Sequence, residues 1–224
     1  MSSAICAQKV LLDFHTHNRT QQVKPEAIAS YSLSDVAQRP LGQPFTIGLH
    51  PWETLRPEVE QWLECSLLAY LQSPDCLALG EVGLDRLRGA SIVQQNVLLA
   101  QELELARHLH KPVVVHCVRA WSELRQALRA YPYPKAVHGF VGKEGVLKEL
   151  LDDGWYISIK HPKSSLLALI PPERLLLETD DDTTPIQTIY ADTARVLGCD
   201  VAALQQQVAE NIQRFLGHQR HASS

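Results

Sequence analysis

The chain has 224 residues, 45% hydrophobic and 21% charged, and its 21 Lys and Arg against 25 Asp and Glu leave a net charge of −4. That length fits one large soluble domain spanning 1–224, and that charge removes any general electrostatic reason to coat duplex DNA, so nucleic-acid contact must be local to a site. No apolar run approaches the roughly eighteen residues of a membrane span, and the start "MSSAICAQKVLLDF" carries no charged segment followed by a long apolar core, so no secretory leader is expected.

The first apolar run, "KVLLDF" (9–14), reads as a strand and leads straight into His15 and His17. On a strand, positions i and i+2 point the same way, so these two imidazoles share a face and are close enough to hold one ion. Further strands are expected at "AIASYSL" (27–33), "FTIGL" (45–49), "CLALGE" (76–81), "PVVVHC" (112–117), "KAVHGF" (135–140), "WYISI" (155–159) and "RLLLET" (174–179). Several are apolar almost throughout, as parallel strands covered on both faces must be.

Helix-period stripes lie between most of them: Val59, Trp62, Leu63, Leu67, Tyr70 and Leu71, then Ile92, Leu99, Leu103 and Ala106, with Lys111-Pro112 as a stop. Trp121, Leu124 and Leu128 repeat the pattern, as do Val146, Leu147, Leu150 and Leu151, and then Ile186, Ile189, Tyr190 and Leu197. A last, shorter segment is expected from Val201 to about Leu216, with a frayed tail over 218–224. Strand–helix alternation means parallel strands with right-handed crossovers. Eight such strands predict an α/β fold, a TIM-like (β/α)8 barrel. Only Asn18 to Glu26 separate the first two strands, too few for an ordinary crossover helix, and the link from Leu33 to Phe45 carries Pro40, Gly42 and Pro44. The first outer helix should therefore be missing and the second reduced to a turn, opening the rim beside strand 1.

In such a barrel the C-terminal ends of the strands carry the chemistry. Strand 1 ends in His15 and His17, strand 4 in Glu81, strand 5 in His116, strand 6 in His138 and strand 8 in Asp180. All six are metal-ligand types at one rim. They exceed what a single catalytic ion needs, so two divalent ions sharing a carboxylate are expected. Glu81 is the bridging candidate: one ion takes His15, His17, Glu81 and Asp180, the other Glu81, His116 and His138. Ions roughly 3.5–4 Å apart hold a shared water, lower its pKa and stabilise charge on a phosphoryl or carbonyl group. Asp180, on the strand adjoining strand 1, is positioned to take that water's proton. Four histidines suit Zn, Mn, Co or Ni, and the carboxylates admit Mg.

"DFHTHN", "GLHPW", "GEVGLD", "PVVVHCVRAW", "HGFVG" and "LLLETDDD" occur in the order in which similar blocks occur in the TatD family of metal-dependent deoxyribonucleases, within the amidohydrolase superfamily. The resemblance runs from about Val10 to "ENIQRFLG" at 210–217. It implies the same six ligands, His15, His17, Glu81, His116, His138 and Asp180, with Glu81 and Asp180 as the catalytic pair. It implies a hydrolase that cleaves DNA at an end or in a single strand. A superfamily hydrolase of a small cyclic amide, lactone or phosphoester is the alternative, and a noncatalytic partner in a larger assembly is the reading furthest from the ligand set. Three departures stand out: "HCVR" puts Arg119 one residue beyond the family's H-x-R, "HGFVG" replaces HCFSG, and the segment after strand 1 is short, the mark of a short TatD-like branch.

Other residues bear on substrate. His50 in "GLHPW" is a candidate substrate contact or a structural hydrogen bond to its loop, and Trp52 either stacks on a base or covers the barrel mouth. Arg119 and Lys160 are candidate phosphate contacts, and His161 a weaker one. Asp85 should orient a loop or ligand rather than bind metal. Asp181 and Asp182 should face solvent or cap the next turn, Cys117 should enter the helix layer, and Glu123 should lie on a solvated face. The five cysteines, Cys6, Cys65, Cys76, Cys117 and Cys199, are odd in number and scattered, which fits reduced thiols in the cytoplasm. DNA is the expected partner, and nothing points to a membrane or an obligate protein partner.

Overall fold

Eight short, mostly apolar runs build the frame, seen here in a computed structural model that describes residues 10, 12–18, 24–162 and 165–217. The strands are β1 (Asp13–Thr16), β2 (Ala27–Ser32), β3 (Phe45–Gly48), β4 (Cys76–Asp85), β5 (Val113–Val118), β6 (Lys135–Val137), β7 (Tyr156–Ile159) and β8 (Leu175–Leu177). Each pairs in parallel with the next, in the order β1 to β8. The ring closes where Thr16 bridges Asp180: the His17 N–H donates to the Asp180 carbonyl at 2.7 Å, and the Asp180 N–H to the His15 carbonyl at 2.9 Å. The Asp13 carboxylate strengthens this seam by accepting from the Thr179 N–H and hydroxyl at 3.0 and 2.8 Å. Burial in the seam pushes the Asp13 carboxyl up to about 7, against the Thr179 hydrogen bonds.

The outer layer follows the apolar stripes. One helical segment passes from α1 (Val59–Gln61) through a π-helical turn (Trp62–Ser66) into α2 (Leu67–Leu71), burying Leu67 and Leu71. Then come α3 (Ile92–His108), α4 (Trp121–Leu128), α5 (Glu144–Asp152), α6 (Ile186–Leu197) and α7 (Val201–Leu216). Ser91 and Gln94 close a capping box on α3. Between β2 and β3 only a 3₁₀ turn remains, Val36–Gln38, so the second outer helix is reduced as its prolines and glycine dictate. The first connection lies largely outside the described residues, as does the tail 218–224. Among the described residues, no helix is long and apolar enough to cross a membrane.

The boundaries of β1 and β4 differ from the sequence expectation, and β6 and β8 end earlier than expected. β1 falls at 13–16 rather than 9–14, which brings His15 into the strand itself. β4 runs on to Asp85 because Val82 to Asp85 pair with Val115 to Val118, so the glycine-rich "GEVGLD" is sheet rather than loop. α7 has the expected bounds, and at sixteen residues it is the longer of the final pair rather than the shorter, against twelve in α6. Asp200 caps it, and Phe215 meets Phe14 and Tyr156 edge-on at 5.2 and 5.7 Å. The buried Asn211 amide also donates to the Pro172 and Leu175 carbonyls, tying α7 to the start of β8.

Glu102 of α3 is fully buried and accepts the Leu49 N–H at 2.6 Å, holding the chain just past β3. Burial raises its carboxyl well above the usual 4.5, outweighing that hydrogen bond. The folded protein therefore keeps a proton that the unfolded chain releases near 4.5, so this group removes stability as pH climbs past that value. Glu102→Gln keeps the acceptor and cannot ionise. It should raise the Tm at pH 8, each kcal/mol gained appearing as roughly 2–4 °C, and the gain should close toward pH 4. Thermal unfolding of both proteins across that range checks it, and an equal Tm at pH 8 would contradict it.

Candidate metal centre

The strand tops bring their polar side chains to one carboxylate. Glu81, from mid-β4, is 4% exposed. Its Oε2 lies 3.1 Å from His17 Nε2 and 3.4 Å from His15 Nε2. Its Oε1 lies 2.5 Å from His138 Nε2, 3.0 Å from His116 Nδ1 and 3.1 Å from His50 Nε2. Asp180 closes the ring, with Oδ1 3.7 Å from His17 Nε2 and 4.0 Å from His15 Nε2. Three overlapping sets among the described residues have the geometry to hold a metal: His15 with His138 and Asp180, His15 with His17 and Glu81, and His50 with Glu81 and His116.

The chemistry of the donors fits divalent cations. His15 Nε2 faces His17 Nε2 at 3.3 Å, and His116 Nδ1 faces His138 Nε2 at 3.3 Å. Paired ring nitrogens converging around one buried carboxylate each need a proton or a shared cation between them. Burial raises the Glu81 carboxyl, but His138, His116 and His15 overturn that and hold it well below the usual range. Burial lowers His138, but Glu81 and Glu178 hold its imidazole well above its ordinary value. The fully buried His15 is pulled down by desolvation and by the nearby His138.

Two carboxylates stand behind the imidazoles. Asp85 Oδ2 lies 3.4 Å from His116 Nε2, so the Nδ1 of that ring faces Glu81, and the same oxygen accepts the Trp52 indole N–H at 2.6 Å. The fully buried Glu178 accepts the Gly139 N–H at 2.6 Å and lies 3.6 Å from His138 Nδ1. Such outer carboxylates fix ring orientation and ligand basicity. His50 is different in kind. Its Nδ1 accepts the Trp52 N–H at 3.2 Å, so its Nε2 carries the ring proton and donates to Glu81 at 3.1 Å. It orients the carboxylate and secures its own loop in one stroke.

Of the residues singled out in the sequence, His17, His50, Glu81, His116, His138 and Asp180 line one cavity of about 370 Å³, with His15 buried beneath. Lys160 borders an adjoining crevice with His161. Its ammonium lies 3.2 Å from Asp180 Oδ2 and also pairs with Asp181. Arg119 does not join them: it is exposed, and its carbonyl accepts from Arg86. Asp182 caps the next turn through Thr184, and Cys117 packs against the core. Glu123 pairs with Arg86. Glu178, Asp13 and Glu102 carried no assigned role in the sequence. No strand rule pointed to Glu178: β8 ends at Leu177 and Asp180 has φ of +53°, so alternation does not extend through "ETD".

The sequence matches the profile of a family described as TatD related DNase over residues 16–217. The "3'-5' ssDNA/RNA exonuclease TatD" of Edwardsiella piscicida is 38% identical over 151 residues, 60% of this chain and 56% of that protein. The protein of the same name from Citrobacter koseri is 34% identical over 148 residues, again 60% and 56%. The chain thus spans little more than half the length of these curated relatives. Among solved structures, YJJV, a TatD homologue from Escherichia coli, superposes with a TM-score of 0.75 at 21% identity, covering 92% of this chain and 98% of that one. Barrel, seam and motif order agree with that profile match across nearly the whole length, and the chain belongs to the TatD-related DNase family.

Proposed function

We propose that the chain is a two-metal phosphodiesterase that removes nucleotides from a DNA end or single strand, from the 3′ terminus as the names of its relatives indicate. The observation that carries this reading is the convergence of His15, His17, His116, His138 and Asp180 on Glu81 at the floor of one cavity. Two divalent cations, drawn from Zn, Mn, Co, Ni or Mg, would supply a water of lowered pKa and offset charge on the phosphoryl oxygens. Glu81 would be shared between the two cations, with His15, His17 and Asp180 holding one and His116 and His138 the other. His50 and Asp85 keep Glu81 and His116 in register, and Glu178 does the same for His138.

Asp180 accepts the proton of the attacking water. The water oxygen bonds to phosphorus, the bond from phosphorus to the 3′ oxygen breaks, and the proton passes to that leaving oxygen. Lys160, already facing Asp180, is the cation available to the phosphate next along the strand. A cup-shaped site at the barrel mouth admits a terminus and excludes the middle of a duplex.

The test is an assay of the metal-loaded protein on a 5′-labelled single-stranded oligonucleotide, on bis(4-nitrophenyl) phosphate, and on a panel of cyclic amides and lactones. Stepwise shortening with release of nucleoside 5′-monophosphates is expected. The cavity lining, which contains no Lys or Arg, favours a small neutral substrate as the second reading. Hydrolysis confined to the amide or lactone panel would establish it and overturn the first.

A further inference from the structure

The cavity above Glu81 has a side that the metal chemistry does not use. Away from the histidines it is walled by Ser30 and Ser32 of β2, by Asp35, and by Trp52 and Glu53 beyond β3. Ser30 is 1% exposed and its hydroxyl has no hydrogen-bond partner. Glu53 Oε2 is likewise buried without a partner, its other oxygen lying 3.8 Å from Arg56, which is outside the lining. A buried hydroxyl and a buried carboxylate oxygen left unpaired at one cavity wall are costly unless a ligand satisfies them. Trp52 is held for stacking: its indole N–H is tied to Asp85, and the Arg88 guanidinium sits 4.1 Å from its ring centroid.

Charge divides the two sides of the site. Among the described residues no Lys or Arg lines this chamber, whereas Asp35 and Glu53 do. Lys160 lines the crevice that adjoins the site at Asp180. A strand laid across the metals should therefore send its phosphates toward Lys160 and only an uncharged terminus toward Glu53. The volume, about 370 Å³, suits one nucleoside.

We propose that this chamber is the terminal-nucleoside subsite, in which Ser30 and Glu53 hydrogen-bond the sugar hydroxyl and Trp52 stacks the base, and that it selects strands ending in a free 3′-hydroxyl over strands ending in a 3′-phosphate. The inference rests on the strand-end hydrolase reading above and adds the chemistry by which the end is chosen. A terminal phosphate would bring two further negative charges against Asp35 and Glu53 with no Lys or Arg in the lining to receive them, and like charges held together inside a site disfavour binding.

The test compares two 5′-labelled single-stranded oligonucleotides of one sequence, with a 3′-hydroxyl or a 3′-phosphate, using metal-loaded full-length protein and bis(4-nitrophenyl) phosphate as a third substrate. The hydroxyl-ended strand should be preferred by at least about tenfold in kcat/KM. In Glu53→Gln that ratio should shrink several-fold. In Ser30→Ala the KM for the hydroxyl-ended strand should rise several-fold relative to the same variant's KM for bis(4-nitrophenyl) phosphate. Equal rates for the two ends in the parent protein would overturn the proposal, as would a ratio and a KM unmoved in the two variants. Metal content and circular dichroism report folding, and should one variant fail to fold, the other decides. Cleavage of bis(4-nitrophenyl) phosphate without attack on either strand would sink the subsite while leaving the metal hydrolase standing. Absence of metal uptake together with absence of all three activities would instead remove the hydrolase reading itself.

Discussion

Glu81→Gln is expected to lose both metal retention and hydrolysis. In the parent, one carboxylate faces five ring nitrogens within 3.4 Å, and two of the paired rings face each other at 3.3 Å. An amide has the same shape but carries no charge to balance bound cations. Its NH₂ would also point a donor at nitrogens that must themselves stay unprotonated to bind metal. Hydrolysis of bis(4-nitrophenyl) phosphate should fall by at least about 10³-fold, and elemental analysis of the dialysed protein should find little bound metal. Circular dichroism should be unchanged, because the barrel core does not depend on this charge. A variant that keeps its metal and its rate would remove Glu81 from the centre of the site.

Gly83→Ala should be the most damaging single-methyl change near the site. Gly83 sits in β4 opposite His116 with φ of +144°, a region L side chains rarely adopt, and an added Cβ would fall 2.0 Å from the His116 carbonyl oxygen. The backbone strain costs about 1–3 kcal/mol, and relieving the overlap about 1–3 kcal/mol more. The only relief is to part β4 from β5 at the point where Glu81 and His116 are brought together. We expect a lower denaturation midpoint and weakened metal binding in the same variant. Unfolding with and without added metal would measure both, and a parent-like midpoint would show that the strand pair can yield.

How much of this was legible beforehand follows from where each contact comes from. The convergence of the six candidate ligands at one rim was readable because strand periodicity and the barrel's functional rim are local or topological rules. The extension of β4 to Asp85 was not readable, since two glycines interrupt the run and only pairing with β5 makes it sheet. Glu178, Asp13 and Glu102 escaped for another reason. Their partners, Gly139, Thr179 and Leu49, lie 39, 166 and 53 residues away in sequence, and no pattern within one segment announces them. Arg119 looked poised over the site by spacing alone. Its backbone adopts φ of +55° and its carbonyl is engaged by Arg86, leaving it exposed outside the cavity lining. The bounds of α7 were legible, but its ties to β8, β1 and β7 through Asn211 and Phe215 were not.

The seam between β1 and β8 carries a last consequence. His15 and Asp180 lie far apart in the sequence, and the backbone bonds that close the ring run between them. A growing chain therefore presents its early imidazoles long before their anionic counterpart exists, so no complete chelate can form until Asp180 has been made. Once formed, cations at this junction would act as a non-covalent clasp across a loop of more than 160 residues, where the entropy recovered by a cross-link is large.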